Sequence, residues 1–129
     1  MKAERMPKSQ QNVFGEPIEL CCNDPVTGFY RDGHCNTGPN DLGTHTVCAL
    51  MTSTFLEYSA LAGNDLSTPR PEHGFPGLVE GNRWCLCALR WEQAHRAGKA
   101  PKLYLRATNI VTLRAIPLEV LKPYALDLV

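Results

Sequence analysis

Thr44 to Met51 alternates, with His45, Val47, Ala49 and Met51 on one face and Thr46, Cys48 and Leu50 on the other, which predicts a strand. A short helix is expected next. Thr52 is a candidate N-cap, Thr54 to Glu57 a rival capping box, and Phe55, Leu56 and Ser59 form the inner stripe before Gly63 closes the C-terminus. A second alternating run, Arg83 to Ala88, sets Trp84, Leu86 and Ala88 opposite Cys85 and Cys87 and leads into a helix over Leu89 to Ala97, ended by Gly98 and Pro101. Lys102 to Thr108 alternates once more, with Leu103, Leu105 and Ala107 inward. Leu113 to Ile116 reads as a strand or turn, and a last helix opens at Pro117 and is limited by Pro123.

Between these elements the pattern dissolves. Fifteen of the twenty glycines and prolines fall in two segments, Gly15 to Gly43 and Gly63 to Gly81. The second is a nineteen-residue loop, a length that in compact domains is usually functional or disordered. Leu66, Phe75, Leu78 and Val79 inside it look like apolar anchors and favour an ordered loop, whereas residues 1–11 read as a solvated, disordered tail. The two strand-to-helix passages echo one another, Val47-Cys-Ala-Leu before one helix and Leu86-Cys-Ala-Leu before the other. Two βα units side by side would explain this, and so would chance between Ala-rich helices. The expectation is one α+β domain over residues 12–129, with a short mixed or antiparallel sheet and two or three short helices.

At 129 residues and 43% apolar composition the chain is long enough for a core that needs no disulfides. The longest apolar runs are only five and six residues, Val47 to Met51 and Trp84 to Leu89, and no leader-like stretch follows the charged first residues, so a cytoplasmic protein with no membrane association is expected. Cytoplasmic thiols stay reduced, which makes Cys21, Cys22, Cys35, Cys48, Cys85 and Cys87 free thiols, ligands or nucleophiles before they are cystines. Cys85 and Cys87 would stand about 7 Å apart on one strand face, too far to bridge each other. The zero net charge divides into −4 over residues 1–65 and +4 over residues 66–129. Arg90, Arg96, Lys99, Lys102, Arg106 and Arg114 in the basic half have no interleaved aromatic platform and read as solvated faces, so no nucleic-acid partner is expected.

Chemistry concentrates between Asn23 and His45. Most polar residues there are turn formers, but Cys35 with His34 or His45 and a carboxylate at Asp41 is the inventory of an activated nucleophile. Zinc is the competing use, with Cys35, Cys48, Cys85 and Cys87 as the ligand set. No C-x-x-C knuckle is present, and His45 and Cys48 would point to opposite faces of one strand. Buried free cysteines of a strand core explain Cys48, Cys85 and Cys87 equally simply. Trp84 and Trp91 read first as core, and otherwise as the frame of a pocket.

The chain resembles the bacterial and eukaryotic family known as domain of unknown function 2237, from about Asn12 to Tyr124. The carriers are Asp24-Pro25, Thr27-Gly-Phe29, Arg31-Asp-Gly33, Cys35, Thr37-Gly-Pro39, Asp41, Gly43, His45, Val47-Cys-Ala49 and Phe55-Leu56. They continue with Gly63-Asn-Asp-Leu66, Thr68-Pro69, Phe75-Pro-Gly-Leu78, Trp84-Cys-Leu-Cys-Ala88, Arg90-Trp91, Ala97-Gly98 and Ala100-Pro101. The resemblance implies a small intracellular domain, often a whole protein, and brings no activity with it. Asn109 stands where an Ala-Thr-His motif would place histidine, and His34 falls at a position where variety is expected. Both weaken a mechanism through those positions and leave Cys35 and His45 as the better pair.

The leading functional expectation is a binding module for a small molecule or peptide, its polar pocket formed between the 23–45 and 63–81 loops. Asp24, Arg31, Asp32, Asn64, Asp65, Thr68, Trp84 and Arg90 are the expected ligand contacts, with Asp41 and His45 on the first wall. The alternatives are a thiol enzyme, with Cys35 as nucleophile, His45 as base and Asp41 or Asp32 orienting it, and a zinc-stabilised structural domain. No cofactor is required by the leading expectation.

Overall fold

In the computed structural model, which describes residues 10–128, two strands carry the fold: β1 (His45–Leu50) and β2 (Arg83–Cys87) pair antiparallel. Each runs directly into a helix, β1 into α1 (Ser53–Leu61) and β2 into α2 (Ala88–Arg96), so the two echoing passages are neighbouring βα units. A third short helix, α3 (Leu118–Leu121), follows Pro117. The result is a small α+β domain with a two-stranded antiparallel sheet and three helices. α1 begins where its cap predicts: Thr52 is extended, its hydroxyl accepts the Phe55 N–H at 3.1 Å, and Phe55, Leu56 and Ser59 are the buried positions.

The sheet is buried on both faces because its alternation serves two cores. Val47 opposite Leu86 and Ala49 opposite Trp84 face the main core, where Met51, Phe55, Leu78, Trp91, Leu103, Leu105, Ile116 and Leu121 pack between sheet and helices. On the other face Cys48 stands directly opposite Cys85, and these join Ile18, Cys21, Cys35 and Ala107 in a second, smaller cluster. There the structure corrects the free-thiol expectation. Cys21 is bonded to Cys48 and Cys35 to Cys85, with Cα separations of 5.7 and 5.2 Å, and only Cys22 and Cys87 are free. Two cross-strand neighbours are thus each tied to a different point of the 21–35 segment, and this segment is stapled across one sheet face.

Other departures are local. Lys102 to Thr108 is not a strand: Leu103 makes single bridges to Ala49 and Ala125, and Leu105–Ala107 is a 3-10 turn. Leu103, Leu105 and Ala107 are nonetheless all buried, as the alternation predicts. Of the Leu113 to Ile116 strand or turn it is the turn that forms: Leu113 and Arg114 end a 3-10 segment, Ile110–Arg114, capped by Asn109, and Ala115 and Ile116 turn away from it. Of the four anchors in the 63–81 loop Val79 is exposed, while Leu78 is buried and Leu66 and Phe75 pack against the main core. Most of the expected tail, residues 1–9, lies outside the described residues, but Gln10 and Gln11 do not behave as tail. Gln10 exchanges hydrogen bonds with Thr37 and accepts one from Asn109, and the Gln11 carbonyl accepts the Ile110 N–H. Among the described residues no helix is long and apolar enough to cross a membrane.

Candidate functional site

The two Gly/Pro-rich loops meet over the end of β2 and leave a cleft of about 430 Å³ between them. The first loop contributes Gly28, Phe29 and Arg31, with His45 at the start of β1. Asp65, Leu66, Arg70, His73 and Phe75 come from the second loop, and Trp84 and Cys85 lie beneath. A smaller depression of about 240 Å³ continues past His45, Leu66 and Trp84 to Gly43, Asn64, Cys87 and Arg90.

Backbone conformation explains how Arg31 comes to lie there. Gly28 has φ +101° and sits so close to the His34 carbonyl that a Cβ would collide with it, which folds the 27–34 turn tightly on itself. Arg31 itself has φ +55°, a region sparsely used by residues other than glycine, asparagine and aspartate. Its Nη1 donates to the Gly28 carbonyl at 2.6 Å, and its guanidinium lies over the Trp84 ring, 5.3 Å from the centroid. Phe75 meets the same tryptophan edge-on at 5.3 Å.

His45 is held from behind. Asp41, whose side chain is fully buried, accepts hydrogen bonds from the His45 backbone N–H at 2.9 Å, His45 Nδ1 at 2.6 Å and the Thr37 hydroxyl at 2.9 Å. A carboxylate only accepts, so the proton resides on Nδ1 and Nε2 is the nitrogen left for a ligand. Gly43 makes room for the ring: a Cβ there would stand 2.6 Å from His45 Cε1. Phe29 stacks with the ring, 6.3 Å away and 18° from parallel.

Burial pushes the Asp41 carboxyl up, but the bonds from the His45 backbone and ring and from Thr37, with the imidazole charge, outweigh it and hold the group below its ordinary value. A depressed folded-state pKa stabilises the fold above the unfolded value of about 4 and stops doing so as pH falls through the folded value. Asp41→Asn should therefore destabilise the protein near neutral pH by about 1–3 kcal/mol, since it turns an acceptor into a donor facing donors. It should also flatten the loss of stability below about pH 4. Urea unfolding of both proteins at pH 6 and pH 3 checks this, and parallel acid profiles would overturn it.

Of the expected ligand contacts, Arg31, Asp65 and Trp84 line the cleft and Asn64 and Arg90 the adjoining depression. The others serve the loops. Asp32 accepts from His34 N–H and Asn36 Nδ2, the Thr68 hydroxyl donates to Asp65 at 2.6 Å, and the exposed Asp24 meets the Cys22 sulfur through its backbone N–H and carbonyl. The expected nucleophile is corrected most sharply. Asp41 and His45 pair as that reading requires, but Cys35 is wholly buried and its sulfur is bonded to Cys85, which removes the thiol. The expected ligand set changes as well. The sulfurs of Cys21, Cys35 and Cys85 lie within 4.8 Å of one another and Cys48 is bonded to Cys21, whereas Cys87 stands apart as a free thiol on β2. Bonded in disulfides, these four sulfurs are not thiolate ligands.

Phe29 and His73 are not expected as site residues from the sequence, whereas Arg70 and Phe75, near the start and the end of the second loop, read there as a rim that could close over the first loop. Their signal was present as aromatic and basic residues inside glycine-rich loops, where no periodic core claims them. A more open depression of about 580 Å³ lies on the far side of Asp41. Several of its polar groups are engaged with each other, Gln10 with Thr37 and Asn109, and Thr37 with Asp41.

Residues 11–125 match the family described as "Uncharacterized protein conserved in bacteria (DUF2237)". No curated protein matches the chain.

Proposed function

The chain belongs to the family of uncharacterized bacterial proteins of domain of unknown function 2237, and from the cleft between its two loops we propose a module that binds a small molecule. One observation carries the reading: residues more than thirty positions apart converge on Trp84, with an oriented imidazole and two guanidinium groups around a space of about 430 Å³. That volume is within the range of small-ligand sites and small for a peptide segment, and the mixture of aromatic walls with few placed polar groups is their usual make-up. The two disulfides have a structural role in this reading, fixing the loop that supplies one wall. Its compartment is read as the cytoplasm, where cystine residues with 0–2% exposure have little contact with soluble reductants.

The two tryptophans make a convenient test, because Trp84 faces the cleft and Trp91 is wholly buried elsewhere. In an NMR screen of a library of small aromatic and aliphatic fragments, binders should shift the Trp84 indole N–H and leave that of Trp91 in place. Binders that all act elsewhere, or none at millimolar concentration, would overturn the proposal.

A further inference from the structure

We infer that the cleft selects an anion carried on a flat apolar body, such as an aromatic carboxylate or an aryl phosphate; the inference rests on the cleft being a binding site. Its first support is charge. Arg31 and Arg70 face the cleft with His45 and His73, and the one carboxylate among the lining residues, Asp65, is already engaged by the Thr68 hydroxyl at 2.6 Å and the Ser67 N–H at 2.9 Å. Among the described residues neither arginine makes a salt bridge. The Arg70 charge also acts on the Asp65 carboxylate, so the cleft holds two guanidinium charges against one carboxylate, and that net positive charge favours an anion over a neutral or cationic guest.

Geometry is the second support. Guanidinium offers a planar fork of five N–H groups that matches carboxylate and phosphate oxygens. The Gly28 carbonyl uses only Nη1 of Arg31, and the guanidinium carbon stands over the Trp84 ring, 5.3 Å from its centroid. Arg31 is held there at φ +55°, a left-handed conformation that is costly for a residue with a side chain and that clusters where a side chain must be held for a ligand.

The walls supply the rest. Phe29 lies nearly parallel to the His45 ring and is 38% exposed, and Phe75 stands against Trp84, so the space between the loops is bounded by ring faces and edges. A flat apolar body fits such a slot, with its anionic group at the arginines and a polar substituent within reach of His45 Nε2. A bare inorganic anion would leave the aromatic surface unused.

Benzoate, phenyl phosphate, benzamide, benzylamine and inorganic phosphate separate these elements, each titrated at pH 7.5 against the Trp84 indole N–H. Benzoate or phenyl phosphate should bind at least about tenfold tighter than benzamide, and benzylamine least well. Arg70→Gln, a change at an exposed side chain, should lower benzoate affinity several-fold more than benzamide affinity. Equal binding of benzamide and benzoate would overturn the anion inference and leave the cleft reading standing. Inorganic phosphate binding as tightly as phenyl phosphate would overturn the flat body. No response from any probe, with the fold intact, would overturn the inference together with the cleft reading.

Discussion

Alanine at both Cys35 and Cys85 is expected to lower the unfolding free energy by about 4 kcal/mol. The figure follows from chain entropy, since a cross-link between residues 50 apart excludes many conformations from the unfolded chain. The Cys21–Cys48 link, spanning 27 residues, is worth about 3.5 kcal/mol on the same argument. Their loops overlap, so losing both should cost less than the sum. Urea unfolding of the double variant against the oxidised parent measures the effect, and a loss below about 1 kcal/mol would show that the link restrains little. The cleft should suffer along with stability. Gly28, Phe29 and Arg31 belong to the segment tied down at Cys21 and Cys35, which is also held by the Asn109 amide on the Cys35 carbonyl at 3.0 Å and by the Thr27 hydroxyl that accepts the Cys85 N–H at 2.8 Å. Without the Cys35–Cys85 bond the wall bearing Arg31 should move away from Trp84 and ligand affinity should fall, even where the helices remain folded.

What the sequence made legible follows from what is local. The alternation in Thr44 to Met51, the Phe55, Leu56 and Ser59 stripe and the Thr52 cap all appear in the structure, because each is decided within one element by burial and backbone hydrogen bonding. Lys102 to Thr108 misled because inward leucines two apart satisfy a strand pattern equally when the chain turns. Asp127 accepts the Leu105 and Arg106 N–H groups that a ladder would otherwise use. The disulfides were hidden by an inference about compartment, and the decisive fact, that Cys48 and Cys85 are cross-strand partners, depends on a register no single segment encodes.

The cleft divides the same way. Asp32 and Thr68 carry the residue types of a ligand site and of a turn alike, and the structure uses them in turns. Arg31, Asp65 and Trp84 were recognisable as polar or aromatic residues in the right loops, but Arg70 and Phe75 matter only because the second loop folds back over β2.

The two tryptophans separate stability from binding, and Trp91→Ala should cost about 4–5 kcal/mol. Trp91 is fully buried, stacks on His95 at 5.4 Å, meets Tyr124 edge-on at 5.2 Å, and its indole N–H donates to the Pro101 carbonyl at 3.1 Å. Truncation leaves a large cavity and an orphaned carbonyl together, so it removes much of the roughly 5–15 kcal/mol that holds a domain of this size. Trp91→Phe restores most of the volume and should recover about half of the loss. Trp84→Ala should cost less, about 3 kcal/mol, because one edge of the ring already borders the cleft and water can fill part of the space. Binding should reverse the order: at low temperature, where both variants remain folded, Trp91→Ala should retain benzoate and Trp84→Ala should lose it, having lost the surface over which Arg31 lies. Calorimetric unfolding with benzoate titration on each variant measures both quantities, and equal losses of affinity would mean that Trp84 acts only through the core.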